Sequence, residues 1–277
     1  MHRDIVTAAL TREGAGVRLH RVFGFHQIPR FDPFLMLDDF SSDTPADYLA
    51  GFPWHPHRGI ETVTYLLAGS VRHGDSMGTR GVIGAGDVQW MTAGSGIIHE
   101  EMPEMVGDGQ LKGFQLWGNL PRRHKMTAPR YRGIAAADIP VVASSAGSVR
   151  VIAGSYGSVI GPVKELMIDI VYLDVTCAPK SDFSHALPKG HAAFAYVFEG
   201  SVDFGGQLLS RREAMALTSV SAHSETGGRF LLASGVPLKE PIAWGGPIVM
   251  NTEEELRTAF DDYENGTFIA RNEPSRP

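Results

Sequence analysis

Cysteine and long apolar runs are scarce in this chain of 277 residues. Its single cysteine, Cys177, excludes an internal disulfide and fits a reducing compartment. No apolar run approaches the roughly 20 residues that a membrane-spanning helix needs. The N-terminus reaches an acid at Asp4 and has no long apolar stretch behind it, so we expect no signal peptide and a cytoplasmic protein.

Clusters of positive charge are missing as well. The chain has 25 basic and 31 acidic side chains, a net charge of −6, and no run of five lysines and arginines. Direct binding to a nucleic-acid backbone is therefore not expected, because that contact depends on clustered cations. The hydrophobic fraction of 43% is that of a globular protein. We expect a monomer that binds neither membranes nor nucleic acids.

Helix-forming patterns are few, and short β-like runs separated by Gly, Pro and Asp dominate. The apolar and alternating patterns predict strands at 17–23, 34–37, 61–67, 87–91, 111–117, 149–152 and 166–175. This spacing is typical of an all-β barrel or sandwich. The polar, basic stretch 119–137 is interpreted as a solvated connector, which divides the chain into domains at 1–130 and 131–277.

Two features of the second half stand out. Residues 196–202 repeat the pattern of residues 65–71, and in the same register the second half has no counterpart of the histidines described below. Near the end, Thr252 and Glu255 form a capping-box pattern. A short C-terminal helix is predicted there, with an apolar stripe that packs against a barrel and consists of Leu256, Phe260 and Tyr263.

Two pairs of potential metal ligands lie about 40 residues apart. His55 and His57 flank Pro56, and His99 and Glu101 form the second pair. Residues two apart in an extended segment point to the same side, so facing pairs would place three imidazoles and one carboxylate around one ion. Such a donor set suits iron, manganese or nickel as well as zinc and copper.

Other acidic and imidazole side chains could belong to the same site or lie outside it. Glu61 lies four residues after His57 and is either a further ligand or an acceptor that orients an imidazole, and we favour the orienting role. Glu100 is predicted to point away from the ion, because its two neighbours in the sequence, His99 and Glu101, point toward the ion. Three histidines lack the paired spacing and are predicted not to bind metal: His185, His191 and His223.

Longer motifs surround these residues. They are Asp-Pro-Phe-Leu at 32–35, His-Pro-His-Arg-Gly-Ile-Glu-Thr-Val at 55–63, the run 86–94 from Gly-Asp-Val to Thr-Ala-Gly, Ile-His-Glu-Glu-Met-Pro at 98–103 and Gly-Pro-Ile-Val-Met-Asn-Thr at 246–252. Over nearly its whole length the chain resembles the pirin family of the cupin superfamily. The resemblance implies two tandem cupin barrels of jelly-roll type.

The resemblance also implies a mononuclear metal centre in the N-terminal barrel alone. The family's ligands carry over to His55, His57, His99 and Glu101. The implied ion is Fe(II), with Mn, Ni, Cu, Co and Zn as alternatives.

Two functions follow from the resemblance. The first is quercetin 2,3-dioxygenase activity, in which O2 opens the heterocycle of a flavonol with loss of carbon monoxide. Glu101 would then also take the proton of the flavonol hydroxyl as a general base. Phe52, Trp54 and Met91 are expected either to line the mouth of the substrate pocket or to belong to the barrel core.

The second function is that of a regulatory protein, which uses the metal as a structural or redox-sensing centre and binds a protein partner. Pirin relatives act as transcriptional co-regulators or bind metabolic enzymes. An open pocket that leads to the metal would favour the enzyme, and a plugged pocket would favour the regulator.

Overall fold

A computed structural model describes residues 5–269, and these residues form two cupin barrels built almost wholly from β-strands. This confirms the predicted all-β fold. The strands of the first half are, in chain order, β1 (Val6–Thr7), β2 (Ala9–Glu13), β3 (Val17–Phe23), β4 (Phe34–Asp39), β5 (Phe52–His57), β6 (Ile60–Ala68), β7 (Ser70–Asp75), β8 (Arg80–Ile83), β9 (Val88–Thr92), β10 (Ile97–Glu104), β11 (Lys112–Asn119) and β12 (Arg130–Ile134).

The first barrel combines two antiparallel sheets. One has seven strands in the order β12-β9-β6-β11-β4-β3-β2, and the other has four in the order β5-β10-β7-β8. The predicted strand at 17–23 has the bounds of β3. The predicted connector, in contrast, contains β12, which pairs with β9 and so belongs to the first sheet. Most of this strand lies beyond residue 130, the predicted end of the first domain.

The second half builds the second barrel. Its strands are β13 (Val141–Ser144), β14 (Gly147–Ala153), β15 (Ser155–Tyr156), β16 (Val159–Ile160), β17 (Ile170–Cys177), β18 (Ser181–His185), β19 (Ala192–Asp203), β20 (Leu208–Ser210), β21 (Glu213–Leu217), β22 (Val220–Ser224), β23 (Gly228–Gly235), β24 (Ala243–Gly245) and β25 (Ile248–Met250). Its main sheet runs β1-β21-β19-β23-β17-β14-β13, so the first strand of the chain joins the second barrel. The strand predicted from residue 166 begins only at Ile170, where its pairing with β23 starts.

Helical elements are short. They are α1 (Pro45–Tyr48), α2 (Glu253–Glu264) and three 3-10 turns at Phe25–Gln27, Arg122–His124 and Ala136–Asp138. Within residues 5–269, no helix has both the length and the apolar character that crossing a membrane requires.

The capping box predicted for α2 is confirmed. The Thr252 hydroxyl accepts a hydrogen bond from the Glu255 backbone N–H at 3.1 Å, and the Glu255 carboxylate accepts one from the Thr252 N–H at 3.0 Å. The buried face of α2 differs from the predicted stripe. Leu256 is buried, but Phe260 and Tyr263 are 37% and 41% exposed. The helix packs against β24 and β25, and its buried residues are Leu256 and Ala259.

A shared core joins the two barrels, and two tyrosines cross it in opposite directions. The Tyr65 hydroxyl of the first barrel donates to the Asp174 carboxylate of the second at 2.6 Å. The Tyr196 hydroxyl of the second barrel donates to Asp39 of the first at 2.7 Å. These tyrosines occupy matching positions of the sequence repeat. The reciprocal bonds help to satisfy two buried carboxylates, and Asp174 also accepts two hydrogen bonds from Arg229.

Replacing Tyr196 by Phe is expected to lower the free energy of unfolding by about 1–3 kcal/mol, because it removes a hydrogen bond from a buried carboxylate. Thermal unfolding followed by circular dichroism measures this loss. Tyr263→Phe is the matched control: its side chain is 41% exposed, and we expect a change within about 0.5 kcal/mol. Equal stabilities of Tyr196→Phe and the wild type would show that the bond across the barrels does not stabilise the fold.

Candidate metal centre and its cavity

Three histidines meet inside the first barrel. One ligand nitrogen of each of His55, His57 and His99 lies within 4.8 Å of the others. The two segments meet because β5 and β10 are antiparallel neighbours, with His99 directly opposite His55 in the register. The Nε2 atoms of His55 and His57 are 3.1 Å apart. The spacing in the sequence thus produces one compact imidazole cluster.

Backbone carbonyls orient two of these imidazoles. The Nδ1 atom of His57 lies 3.0 Å from the carbonyl oxygen of Pro247, and that of His55 lies 2.9 Å from the carbonyl oxygen of Pro53. A carbonyl oxygen only accepts hydrogen bonds, so each Nδ1 carries the hydrogen and each Nε2 keeps its lone pair. Both rings are therefore in the tautomer that binds a metal through Nε2.

His99 is the clearest sign that the site holds an ion. Its side chain is 1% exposed, and among residues 5–269 neither ring nitrogen has a hydrogen-bond partner. A buried polar atom without a partner costs about 1–3 kcal/mol. A metal ion bound to one of these nitrogens would remove much of that cost. Three neutral imidazoles are a donor set that divalent first-row metals accept, so the residues fit the ion.

Burial also keeps the imidazoles in their neutral form. It lowers the pKa of His57 to about 3, with a further contribution from the neighbouring imidazole of His55. Burial lowers the pKa of His99 well below its usual value and lowers that of His55 as well. At pH 7 all three rings are neutral, so protons do not compete with a metal ion for their lone pairs.

Glu101 lies beside the cluster. It lines the same cavity as His55 and His57, although it is not part of the 4.8 Å group. The Thr64 hydroxyl donates a hydrogen bond to its Oε1 at 2.8 Å. Burial raises the pKa of Glu101 to about 7, and the bond from Thr64 opposes this shift. Its role as a fourth ligand stays a prediction.

If Glu101 completes the ligand set, metal binding releases one proton near neutral pH. Because the pKa of this acid is about 7, the apparent affinity should fall about tenfold per unit as pH drops from about 7 to about 5.5. Calorimetric titration with Ni(II) at several pH values measures this slope. In Glu101→Gln we expect a shallower slope, because the carboxylate that releases the proton is absent and burial lowers the pKa of all three imidazoles. A slope of two in the wild type would contradict the assignment.

Glu61 is placed differently from the prediction. It is fully buried, and its Oε1 accepts hydrogen bonds from the Thr92 hydroxyl at 2.6 Å and from Arg132 at 3.4 Å. Residues three apart on a strand face opposite sides, and Thr64 faces Glu101. Glu61 therefore faces away from the cluster, and backbone carbonyls orient the imidazoles of His55 and His57 in its place.

The loop between β5 and β6 is fixed tightly. Gly59 has a φ of +79°, and a Cβ added there would lie 2.0 Å from the carbonyl oxygen of Val249, so only glycine fits. The Lys125 ammonium bonds to the carbonyl oxygens of Gly59 and Val249, each at 2.8 Å, and to the Asn119 side chain. Lys125 is 2% exposed, which corrects our interpretation of its segment as a solvated connector.

A cavity of about 650 Å³ opens beside His55, His57 and Glu101. Phe52 and Trp54 line it, as one of the two expectations had it. The third predicted residue does not. Met91 is fully buried and packs in the barrel core with other apolar side chains, among them Leu35, Met36 and Ile97.

Two tryptophans that the sequence did not indicate complete the aromatic wall. The ring of Trp117 lies 5.1 Å from that of His57, and the ring of Trp244 lies 5.9 Å from that of Trp117. Trp244 comes from β24 in the second half, so no local pattern could place it at the metal site. Trp117 stands on β11, where the alternation of the strand could have indicated an inward position.

The chain is similar to known proteins. The pirin family profile matches residues 16–118, and the profile of the pirin C-terminal cupin domain matches residues 172–269. A pirin-like protein from Caulobacter vibrioides is 45% identical, over 95% of this chain and 97% of its own.

The chain belongs to the pirin family. Two further relatives of this pirin family member carry the name of an enzyme. A Pseudomonas aeruginosa protein provisionally named a quercetin 2,3-dioxygenase is 44% identical, over 96% of this chain and 98% of its own. The crystal structure of a quercetin 2,3-dioxygenase from Acinetobacter baumannii superposes with a TM-score of 0.87 at 34% identity, over 96% of each chain.

Proposed function

We propose that this protein is a quercetin 2,3-dioxygenase, which uses Fe(II) and O2 to cleave flavonols. The observation that carries the proposal is an open cavity of about 650 Å³ that reaches His55, His57 and Glu101. Its size is that of a typical pocket for a small organic ligand. The enzyme names of the relatives support the substrate class. An open path to the cluster is also what separates the enzyme hypothesis from the regulator hypothesis.

The three histidines would hold the ion, and Glu101 would complete the set. When bound, the ion would supply a Lewis-acidic, redox-active centre for the reaction of a flavonol with O2. Glu101 would accept the proton of that hydroxyl. Its Oε1 is held by the Thr64 hydroxyl, so we assign the proton to Oε2.

The aromatic side chains of the cavity would position the substrate. Phe52, Trp54, Trp117 and Trp244 offer flat apolar surfaces on which planar rings stack. The same surfaces exclude water from the reacting centre, which strengthens the electrostatic interactions there.

A regulatory role through a protein partner is the second candidate. Exposed aromatic side chains at the cavity support it, since Phe25 is 61% and Trp54 is 47% exposed. Aromatic residues are enriched at protein interfaces. In that case the metal centre would bind its ion without turning over a flavonol.

Loading the protein with Fe(II) under anaerobic conditions, and then adding quercetin and O2, decides between the two. We expect quercetin to be consumed and carbon monoxide to be released with iron, and neither to occur with Zn(II), which has no redox chemistry. Metal content is measured on the same samples. Full iron occupancy without consumption of quercetin would contradict the enzyme assignment.

A further inference from the structure

A row of polar side chains crosses the floor of the cavity. Thr64 on β6, Gln115 on β11, Asp38 on β4 and Arg21 on β3 are direct partners in the registers of neighbouring strands. Directly opposed residues of an antiparallel sheet project from the same face, and all four of these line the cavity. At one end Thr64 donates to Glu101, so this polar row begins at the metal centre.

At its other end the polar row finishes in a fixed guanidinium group. Arg21 donates from Nε and Nη2 to the two carboxylate oxygens of Asp38 at 2.9 and 2.8 Å, and from Nη1 to Glu13 at 2.8 Å. Asp38 is 3% exposed, whereas the side chains of Arg21 and Glu13 are 32% and 40% exposed. Asp38 is thus a buried anchor that holds the guanidinium plane, and Arg21 and Glu13 present the accessible atoms.

The polar atoms of Arg21 and Glu13 that these bonds do not use indicate which ligand the site binds. A guanidinium has five N–H donors, of which three are used here, so two remain together with the second carboxylate oxygen of Glu13. One cation and two anions give this end of the row a net charge of −1. An anionic group is repelled by that excess. A neutral hydroxyl, which accepts from Arg21 and donates to Glu13, matches both.

The length of the row selects the size of the ligand. Arg21 and Thr64 are separated by three strand spacings, β3 to β4 to β11 to β6, or about 14 Å. A single phenol ring is too short to reach from the metal centre to Arg21. The Arg21 guanidinium bonds to Asp38 on the neighbouring strand, which brings it closer to the metal centre than its own backbone. A flavonol carries an outer ring beyond the ring with its reacting hydroxyl, so it extends from the metal centre toward this guanidinium.

We propose that Arg21 and Glu13, anchored by Asp38, form a second recognition site that binds the hydroxyl groups on the outer ring of a flavonol. This inference rests on the proposed function, which places the reacting hydroxyl at the metal centre. The site favours neutral, hydroxylated outer rings and rejects those that carry a carboxylate or a sulfate ester.

Binding measurements test the site independently of turnover. Quercetin, with two outer-ring hydroxyls, is compared with galangin, which has none, by quenching of tryptophan fluorescence in the metal-loaded protein under nitrogen. We expect the wild type to bind quercetin at least about tenfold more tightly, since hydrogen bonds to charged groups contribute that much. Glu13→Ala, at a partly exposed position that tolerates truncation, should reduce the preference to about threefold or less.

The exposed Glu264 of α2 lies outside the cavity, so Glu264→Ala is the matched control and should keep the full preference. A quercetin sulfate ester on the outer ring should bind the wild type more weakly than galangin does, and Glu13→Gln should recover part of that loss. Equal binding of quercetin and galangin by the wild type, or an unchanged preference in Glu13→Ala, would overturn the inference.

The result is separable from the proposed function. If the protein binds quercetin more tightly than galangin but turns over neither, the recognition site is supported and the enzyme assignment is contradicted. If the protein binds both flavonols equally and turns them over at equal kcat/KM, the enzyme assignment is supported and the recognition site is contradicted.

Discussion

His57→Ala is expected to abolish high-affinity metal binding and, with it, any oxygenase activity. The substitution removes one of three converging imidazoles and opens space at a position that is 1% exposed. Loss of an outer hydrogen-bond partner alone costs a metal site 10–100-fold in affinity, so loss of a ligand should cost more than about 100-fold. Calorimetric titration with Ni(II) and metal analysis after dialysis measure the effect.

His223→Ala is the matched control for this experiment. His223 lies on β22 of the second barrel, its side chain is 45% exposed, and it bonds to Asp182 at 2.8 Å. We expect it to leave the affinity and the metal content unchanged. Unchanged affinity in His57→Ala, with the fold intact by circular dichroism, would show that the imidazole cluster does not bind the ion.

The positions of the ligand residues could be predicted because the sequence pattern that identifies them is local. The two ligand pairs follow the two-residue period of a strand, and their convergence needs only that β5 and β10 be neighbours. The same rule could not place Glu61 from the sequence, because a turn interrupts the period between His57 on β5 and Glu61 on β6. Within β6, Glu61 lies at an odd spacing from Thr64 without a bulge in the pairing with β9, so the two side chains face opposite sides.

Other parts of the site depend on contacts that no local pattern contains. Lys125 belongs to a basic stretch, yet its ammonium is buried because three oxygens from separate segments surround it. Trp244 reaches the cavity from a strand more than 180 residues after His57 in the chain. Only the assembled fold brings these groups together, so composition and periodicity predict a solvated lysine and an ordinary core tryptophan.

The second half contributes to the metal centre although no ligand is predicted there. The carbonyl oxygen of Pro247 holds the His57 ring. Arg58, the next residue, donates to the Asp262 carboxylate of α2 at 2.7 Å and to the carbonyl oxygen of Phe268 at 3.0 Å. The C-terminal segment therefore holds the end of β5, where His57 lies. The second half thus helps to orient an imidazole of the first barrel although no ligand is predicted in it.

Glu101→Gln is expected to lower kcat/KM for quercetin by about 10²–10⁴-fold, the contribution of a general base. The amide keeps the shape of the side chain and still accepts the hydrogen bond that Thr64 donates to Oε1. It cannot take up the proton of a flavonol hydroxyl. Iron content measured on the same samples separates loss of the base from loss of a ligand, because a variant with full iron and no turnover lacks only the base.

Glu100→Gln is the matched control, since the neighbouring carboxylate points away from the cluster and lies 3.5 Å from Arg72 on β7. A substitution on that outer face should change kcat/KM by no more than about twofold. If Glu101→Gln turned over quercetin at the wild-type rate, the proton would have to leave by another route. The carboxylate would then bind the ion without taking the proton of the substrate.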